Sequence, residues 1–356
     1  MKQKVMVAMS GGVDSATAAL FIKDAGYEVA GVTMKLYAEA EELRDCETVA
    51  SPTADILDAR AVCDTLSIPH FAVEYGESFR KSVIESFIGE YKNGGTPNPC
   101  VVCNRDIKFG KLLDFALSQG YDKIATGHYA RIEMLENGRY AIKKAVDQTK
   151  DQSYFLWSLT QEKLSHVLFP LGEMKKEEIR GIAKEAGFIS AHKSDSQDIC
   201  FIPDGDYISF IEKNTVETFP EGDFIDLNGN VLGKHQGIIR YTVGQRKGLG
   251  IALGKPMFVG DKKVSENTVT LCDDADLYKT TLTAHSANFV AVEKLTEPTR
   301  LMAKIRYRHT PAWATVRQTS NTTFKVEFDL PQRAIARGQS VVLYSGDTLV
   351  GGGIIE

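Results

Sequence analysis

Ser10-Gly11-Gly12-Val13-Asp14-Ser15 is the stretch on which the reading of this chain turns. It follows Val5-Met6-Val7-Ala8-Met9, an apolar run that predicts a buried strand. It opens Ala16-Thr17-Ala18-Ala19-Leu20-Phe21-Ile22, whose apolar spacing predicts a helix. Strand, glycine turn and helix start in that order make an anion cradle. The paired glycines let the backbone approach closely, and the free N–H groups of the first helical turn point at bound negative charge. Ser10 and Ser15 add hydroxyl donors, and Asp14 is placed to position a metal ion or its waters. The plainer alternative is an ordinary strand–helix turn of a doubly wound sheet.

The turn lacks the Gly-Lys-Ser/Thr of a P-loop and the spacing of a GxGxxG dinucleotide turn. It resembles the SGGxDS loop of the ATP pyrophosphatases, the PP-loop enzymes. Those bind the phosphates of ATP there, transfer AMP to a carbonyl oxygen and release pyrophosphate. The resemblance implies ATP, with Mg²⁺ accompanying it. It leaves the substrate open.

At 356 residues the chain exceeds one ordinary core, which predicts two or three domains. No apolar run approaches a membrane span, and Met1-Lys2-Gln3-Lys4 runs straight into the first strand. The expectation is a cytoplasmic chain with no membrane partner. Six cysteines at irregular spacing argue against a secreted disulfide scaffold and for catalytic, redox or metal thiols. The net charge of -5 weighs against nucleic acid, but charge is unevenly spread. Between Val231 and Lys263, seven basic residues (Lys234, Arg240, Arg246, Lys247, Lys255, Lys262 and Lys263) face one acid, Asp261. A solvated basic face and a nucleic-acid surface explain that segment equally well.

Val29 to Leu36, His70 to Tyr75 and Lys123 to Thr126 read as further strands. Helical spacing covers 54–66, 78–91, 107–119, 161–168 and 175–186. Strands alternating with helices predict right-handed crossovers, a parallel sheet and a nucleotide at the strands' carboxyl ends. Cys46 falls in a loop over 38–52, and Cys63 on the apolar side of a helix reads as a core residue. Asn93 to Asn104, with two glycines and two prolines, predicts a shaped loop presenting Cys100 and Cys103. From Ser209 the texture turns glycine-rich and short-stranded. Strands at short spacing follow in the last third, at 302–308, 313–318, 323–328, 340–344 and 349–355, with a further one at 139–143. The fold class is therefore α/β in three parts. Residues 1–205 form a Rossmann-like, doubly wound parallel-sheet catalytic domain that binds ATP. Residues 206–276 form a small basic central domain, and residues 277–356 form a C-terminal antiparallel β-barrel.

Cys100 and Cys103 form a CxxC, which by itself is ambiguous among a zinc half-site, a redox dithiol and a structural pair. A zinc site wants four ligands, and no second pair completes it. Cys272 stands alone in an acidic turn. Thiols beside an adenylating loop suggest sulfur chemistry. Adenylating a carbonyl oxygen such as uracil O2 supplies a leaving group that a sulfur nucleophile then displaces.

At this point the chain resembles the bacterial tRNA-specific 2-thiouridylases over essentially its whole length. The resemblance is carried by the loop at Ser10 to Ser15, Thr96-Pro97-Asn98-Pro99 ahead of a thiol, and Gly127-His128-Tyr129-Ala130-Arg131. It continues through Lys150-Asp151-Gln152-Ser153-Tyr154-Phe155-Leu156, Ser196-Gln197-Asp198-Ile199-Cys200-Phe201, Gly244-Gln245-Arg246-Lys247-Gly248-Leu249-Gly250 and Gly351-Gly352-Gly353-Ile354-Ile355. It implies Cys103 as nucleophile and Cys200 as persulfide carrier, with a Cys103–Cys200 disulfide after turnover. It implies ATP contacts at Ala8, Met9, Ser10, Gly11, Gly12, Val13, Asp14, Ser15, Met34 and Gly127. Asn98, Pro99 and Cys100 would face the target base. His128, Lys150, Asp151, Gln152, Arg306, Tyr307 and Gln339 would meet the anticodon arm of tRNA, with the wobble uridine flipped out. His128 reads equally well as a structural histidine. The family's usual Asp is Cys100 here, so Cys100, Cys103 and Cys200 offer a second route, a [4Fe–4S] cluster held by three thiolates. The resemblance also implies a persulfide donor, a cysteine desulfurase or a sulfur relay protein. An amide-forming PP-loop ligase is the more distant alternative.

Overall fold

The computed structural model describes residues 2–37, 45–46, 52–189 and 199–356. Most of the expected 38–52 loop and the Ser194 to Asp198 part of the last thiol segment lie outside the described residues.

The first strand, β1 (Lys4–Ala8), leads through the glycine turn into α1 (Val13–Asp24). Then follow β2 (Glu28–Lys35), β3 (Asp45–Cys46), α2 (Ala54–Thr65) and β4 (His70–Tyr75). Two continuous helical stretches come next, each α-helix with a π-wound middle. One joins α3 (Gly76–Phe79) to α4 (Glu85–Lys92) through Arg80–Ile84. The other joins α5 (Pro99–Val102) to α6 (Leu112–Ser118) through Cys103–Lys111. After them come β5 (Lys123–Ala125), the hairpin β6 (Ala130–Met134) and β7 (Tyr140–Lys144), α7 (Gln161–Ser165), β8 (Val167–Leu168) and α8 (Lys176–Glu185). The sheet order is β3-β4-β2-β1-β5-β8, parallel except for β3. Val5, Met6 and Val7 in β1 have no exposed surface, as befits a central strand with helices on both faces.

Two expectations change. The CxxC does not lie in a loop: Pro99, at the start of α5, begins a helix that carries Cys100 and Cys103 in its first turns. Proline's fixed φ suits a first helical turn, where its missing N–H costs nothing. The expected helix over 161–168 is cut short by β8, because Ile124 and Ala125 of β5 take Val167 and Leu168 as partners.

The middle of the chain contains α9 (Tyr207–Lys213) and a four-stranded sheet of β9 (Gly222–Ile225), β10 (Val231–His235), β11 (Phe258–Lys263) and β12 (Thr268–Cys272), ordered β10-β9-β12-β11. Most of the basic segment here is neutralised locally. Lys234 meets Asp223, Arg240 meets Glu212, Lys255 meets Asp273 and Lys263 meets Glu266. Lys262 is buried, its Nζ donating to Tyr241 O at 2.7 Å.

The last part is a six-stranded antiparallel barrel, β13 (Tyr278–Phe289), β14 (Thr299–Lys304), β15 (Ala312–Gln318), β16 (Phe324–Arg333), β17 (Ser340–Ser345) and β18 (Thr348–Ile355), closed by the β13–β18 pairing. The closing glycines make that closure possible. A Cβ on Gly351 would lie 2.5 Å from Asn288 O, on Gly352 2.8 Å from Trp157, and on Gly353 2.8 Å from His285 O. Trp157 comes from the first domain, and β7 pairs with β18. The hairpin β6–β7 thus extends the barrel's sheet from within residues 1–205, and the two share a hydrophobic core.

Burial pulls Lys262 down to about 8, opposed by the charges of Glu90 and Asp261. An unfolded lysine keeps its proton up to about 10.5, so between about 8 and 10.5 the unfolded chain holds the extra proton and stability rises with pH. Chemical denaturation from pH 7 to 10.5 will show a rising increment of at most about 1 kcal/mol per pH unit in the native chain relative to Lys262→Met, which lacks it.

Candidate functional site

The site begins at the glycine turn. Gly11 adopts φ +70°, and a Cβ there would meet Asp55 O at 2.8 Å, so only glycine fits. Gly12 is the N-cap of α1. The two serines brace the turn. Ser15 Oγ donates to Gly12 O at 3.0 Å and accepts from Ser10 N at 3.1 Å, and the two hydroxyls lie 3.2 Å apart. The first N–H groups of α1 have no intrahelical acceptor and face the carboxyl edge of the sheet. Gly127, after β5, closes the other side, where a Cβ would come within 2.9 Å of the Asp14 carbonyl carbon. Met34, next to last in β2, lies toward the same edge. Ala8 to Ser15, Met34 and Gly127 thus all lie at the carboxyl edge of the sheet around the start of α1.

Two residues of this cradle were not legible in the sequence. Lys176 Nζ contacts both carboxylate oxygens of Asp14 at 2.7 Å, and Tyr129 Oη donates to Asp14 at 2.7 Å. Lys176 is buried and lies at the start of α8, far from the loop in sequence. Asp14 is therefore engaged within the chain rather than free to bind a cation.

The thiols lie beside the cradle. Asn98 caps α5, and its side chain hydrogen-bonds Tyr154. Gln339 of the barrel clamps the preceding loop, Nε2 donating to Thr96 O at 2.9 Å and Pro97 O at 3.2 Å. Cys103 is buried, Cys100 and Cys200 are exposed, and Cys200 acts electrostatically on both of the others. Tyr37, just past β2, hydrogen-bonds Cys200 and packs edge-on against Phe79 with centroids 5.3 Å apart. Phe201 packs on the same Phe79 ring at 5.6 Å. Burial pushes the Cys103 thiol up to about 12, against the opposing charge of Lys108, with Cys200 adding to the rise. Burial raises Cys100 as well. Cys100 and Cys103 thus sit together at the start of one helix, and the charge of Cys200 reaches both. Among the described residues, however, no group of three His, Cys, Asp or Glu side chains is gathered to hold a metal ion. The thiol set does not fit a cluster as it stands, nor does Asp14 with its neighbours build a protein Mg²⁺ site.

The remaining expected residues fall into two kinds. His128 is buried, with Nδ1 2.7 Å from Thr126 Oγ1 and its ring between Phe109 and Phe169. Burial, helped by the charge of Lys108, drives it well below the usual imidazole range, so it is neutral. Asp151 is also buried, accepting from Ala145 N, Ser153 N and Ser153 Oγ. Gln152 Oε1 accepts from Tyr129 N at 3.0 Å. These groups knit the segment rather than project from it. Lys150 and Tyr307 are half-buried, and Tyr307 packs on Phe155 with ring centroids 4.5 Å apart and planes tilted by 40°, under Lys304. Arg306 donates to Arg333 O at 2.6 Å, and its charge reaches Tyr154. Arg306, Tyr307 and Gln339 thus lie on the barrel wall facing the Asn98 loop.

Three family profiles cover most of the chain. The profile described as a tRNA methyl transferase HUP domain matches residues 3–204. The tRNA methyl transferase PRC-barrel domain matches 208–273, and the aminomethyltransferase β-barrel domain matches 279–355. Fold and turn define a HUP-type α/β enzyme joined to two β-domains. The chain is 51% identical to the tRNA-specific 2-thiouridylase MnmA of Acetivibrio thermocellus and 49% identical to that of Clostridioides difficile, in both cases over 100% of this chain and 99% of the relative. It belongs to the tRNA-specific 2-thiouridylase family. Among solved structures, a 4-thiouridine synthetase–RNA complex with bound ATP aligns over 59% of this chain and 50% of its own, at 17% identity and TM-score 0.34.

At neutral pH a maleimide will modify Cys100 and Cys200 well before Cys63, Cys103 and Cys272, read by peptide mass spectrometry. Labelling of Cys103 will keep accelerating with pH past the ordinary thiol range toward about 12.

Proposed function

We propose that this chain catalyses the ATP-dependent 2-thiolation of the wobble uridine, U34, of tRNA. What supports the proposal is a glycine turn at the start of α1 in the same domain as a helix that opens with two thiols, whose pair is reached by the charge of Cys200. That the chain is half identical, end to end, to curated 2-thiouridylases supports the choice of substrate.

ATP binds with its phosphates on the turn at Ser10 to Ser15, and Mg²⁺ arrives with them. Uracil O2 attacks the α-phosphorus, pyrophosphate leaves, and AMP becomes a leaving group on C2. Asn98, Pro99 and Cys100 border the base. Cys200 carries the incoming sulfur as a persulfide, loaded by a cysteine desulfurase or a relay protein. Cys103 must first lose its proton, since burial holds it as a thiol. Its thiolate then attacks the inner sulfur of the persulfide. The Cys200 S–S bond breaks, hydrosulfide departs, and a Cys103–Cys200 disulfide forms. Hydrosulfide adds at C2 and AMP leaves. A thiol reductant supplies two electrons to reopen the disulfide. No step is routed through an iron–sulfur cluster.

The anticodon arm rests on the central domain and the barrel. Lys150, Arg306 and Tyr307 contact it, while His128, Asp151, Gln152 and Gln339 hold the surrounding segments in shape. An amide-forming ligase would need the glycine turn but not the thiols.

Purified chain with tRNA, ATP and a persulfide donor will yield 2-thiouridine by nucleoside mass spectrometry, with release of AMP and pyrophosphate that depends on tRNA. Cys103→Ala and Cys200→Ala will each abolish thiolation while leaving pyrophosphate release largely intact; full thiolation in either overturns its role. Lys176→Met, which strips Asp14 of its counter-charge beside the phosphates, will weaken ATP binding at least about tenfold by calorimetry, and Lys176→Arg will recover part of it.

A further inference from the structure

Lys108 has no part in the mechanism above, yet it is a cation on the helical stretch that carries Cys103. It belongs to the π-wound stretch Cys103–Lys111, where the helix closes its turns five residues apart, as in the bond from Leu112 N to Ile107 O. In an α-helix, positions 103 and 108 would point about 140° apart. The wider winding brings Lys108 back toward the face that carries Cys103. Its charge is accordingly felt by three groups on two elements, Cys100 and Cys103 of the same helical stretch and His128 after β5. Gly127, one residue before His128, packs on the start of α1. Phe109, the next residue, packs on the His128 ring at 5.8 Å, so the stretch that carries Lys108 runs from the thiols to the strand end beside the glycine turn.

Its neighbours in the helix are satisfied. Arg105 is paired with Asp106 in a two-pronged contact at 2.7 and 2.8 Å, and Lys111 lies over the Tyr75 ring. Lys163 Nζ, packed on the same stretch, donates to Arg105 O at 2.7 Å. Lys108 itself is half-buried and, among the described residues, has neither hydrogen-bond nor ion-pair partner. An ammonium left without a counter-ion by the fold is available to one brought by a ligand. His128 is neutral and Asp106 is taken by Arg105, so nothing described here neutralises it. An arriving anion would.

We propose that Lys108 is a phosphate-binding residue of the reaction site. The phosphate has two possible sources: the α-phosphate that passes from ATP to the uracil oxygen, or the backbone phosphate of the flipped-out nucleotide. The inference rests on the thiolation reading above and adds the cation that reading leaves unassigned.

The test compares native chain, Lys108→Met and Lys108→Arg in two measurements. One is the single-turnover rate of pyrophosphate release at saturating ATP and tRNA. The other is tRNA affinity across a salt series without ATP. If the α-phosphate is the ligand, Lys108→Met slows release about 100-fold, leaves tRNA affinity and its salt slope unchanged, and Lys108→Arg recovers part of the rate. If the nucleotide phosphate is the ligand, Lys108→Met weakens tRNA binding several-fold and lowers the salt slope by about one, with the rate at saturating tRNA preserved. Unchanged rate, affinity and slope in Lys108→Met overturn the proposal. So does a loss that comes with a lowered melting temperature and is not recovered by Lys108→Arg, which would mark a packing role. A native chain that neither binds tRNA nor releases pyrophosphate overturns the thiolation reading instead.

Discussion

A helix can begin against the end of a neighbouring strand only where that strand's exit carries no side chain. Gly127 supplies the bare backbone, within 3.0 Å of Asp14 and Ser15 were a Cβ added. Gly11, in the left-handed region against Asp55, supplies the sharp turn on the other side. Together they hold the N-terminus of α1 open toward the carboxyl edge of the sheet. The serines are spent on bracing it, and Asp14 is held by Lys176 and Tyr129.

The thiol helix is positioned from far away in the chain. Thr96 N donates to Arg337 O at 2.8 Å, and Gln339 grips the carbonyls of Thr96 and Pro97. Tyr154 ties the Asn98 side to Ser340 O at 2.8 Å, and Trp157 Nε1 donates to Ser340 Oγ at 3.0 Å. The barrel thus holds the segment that leads into the thiol helix, as well as forming a β-domain of its own. The three consecutive glycines near the chain's end serve the same junction, because they allow β18 to lie against Trp157 and β13 together.

Charge follows a similar logic. The segment from Val231 to Lys263 looks strongly basic in one dimension, but acids from outside it, Asp223, Glu212, Asp273 and Glu266, pair with most of its cations. Lys108 shows the reverse: ordinary in a charged stretch of sequence, it is left alone by the fold because Asp106 goes to Arg105. A sum of charges along a segment says little about the field that a ligand meets.

The parallel sheet, the glycine turn and the late run of short strands were readable because each rests on a local pattern: apolar continuity, paired glycines, or alternation between turns. So was the burial of Cys63, which follows from helical spacing and is sealed by Gly31. The start of the thiol helix at Pro99 was misread as loop, since proline both breaks helices and begins them, and the difference depends on what caps it. The π winding that carries Lys108, the pairing of β7 with β18 and the Lys176–Asp14 pair leave no local signature, although a strand at 139–143 was itself expected. Composition and spacing by themselves determined the fold class, the anion turn and the identity of the thiols, because those are properties of short stretches of backbone and of side-chain chemistry. Which thiol is buried, which cation is left unpaired and which glycine admits which neighbour were decided by the tertiary structure alone. Burial and pairing are relations between residues that meet only when the chain is folded.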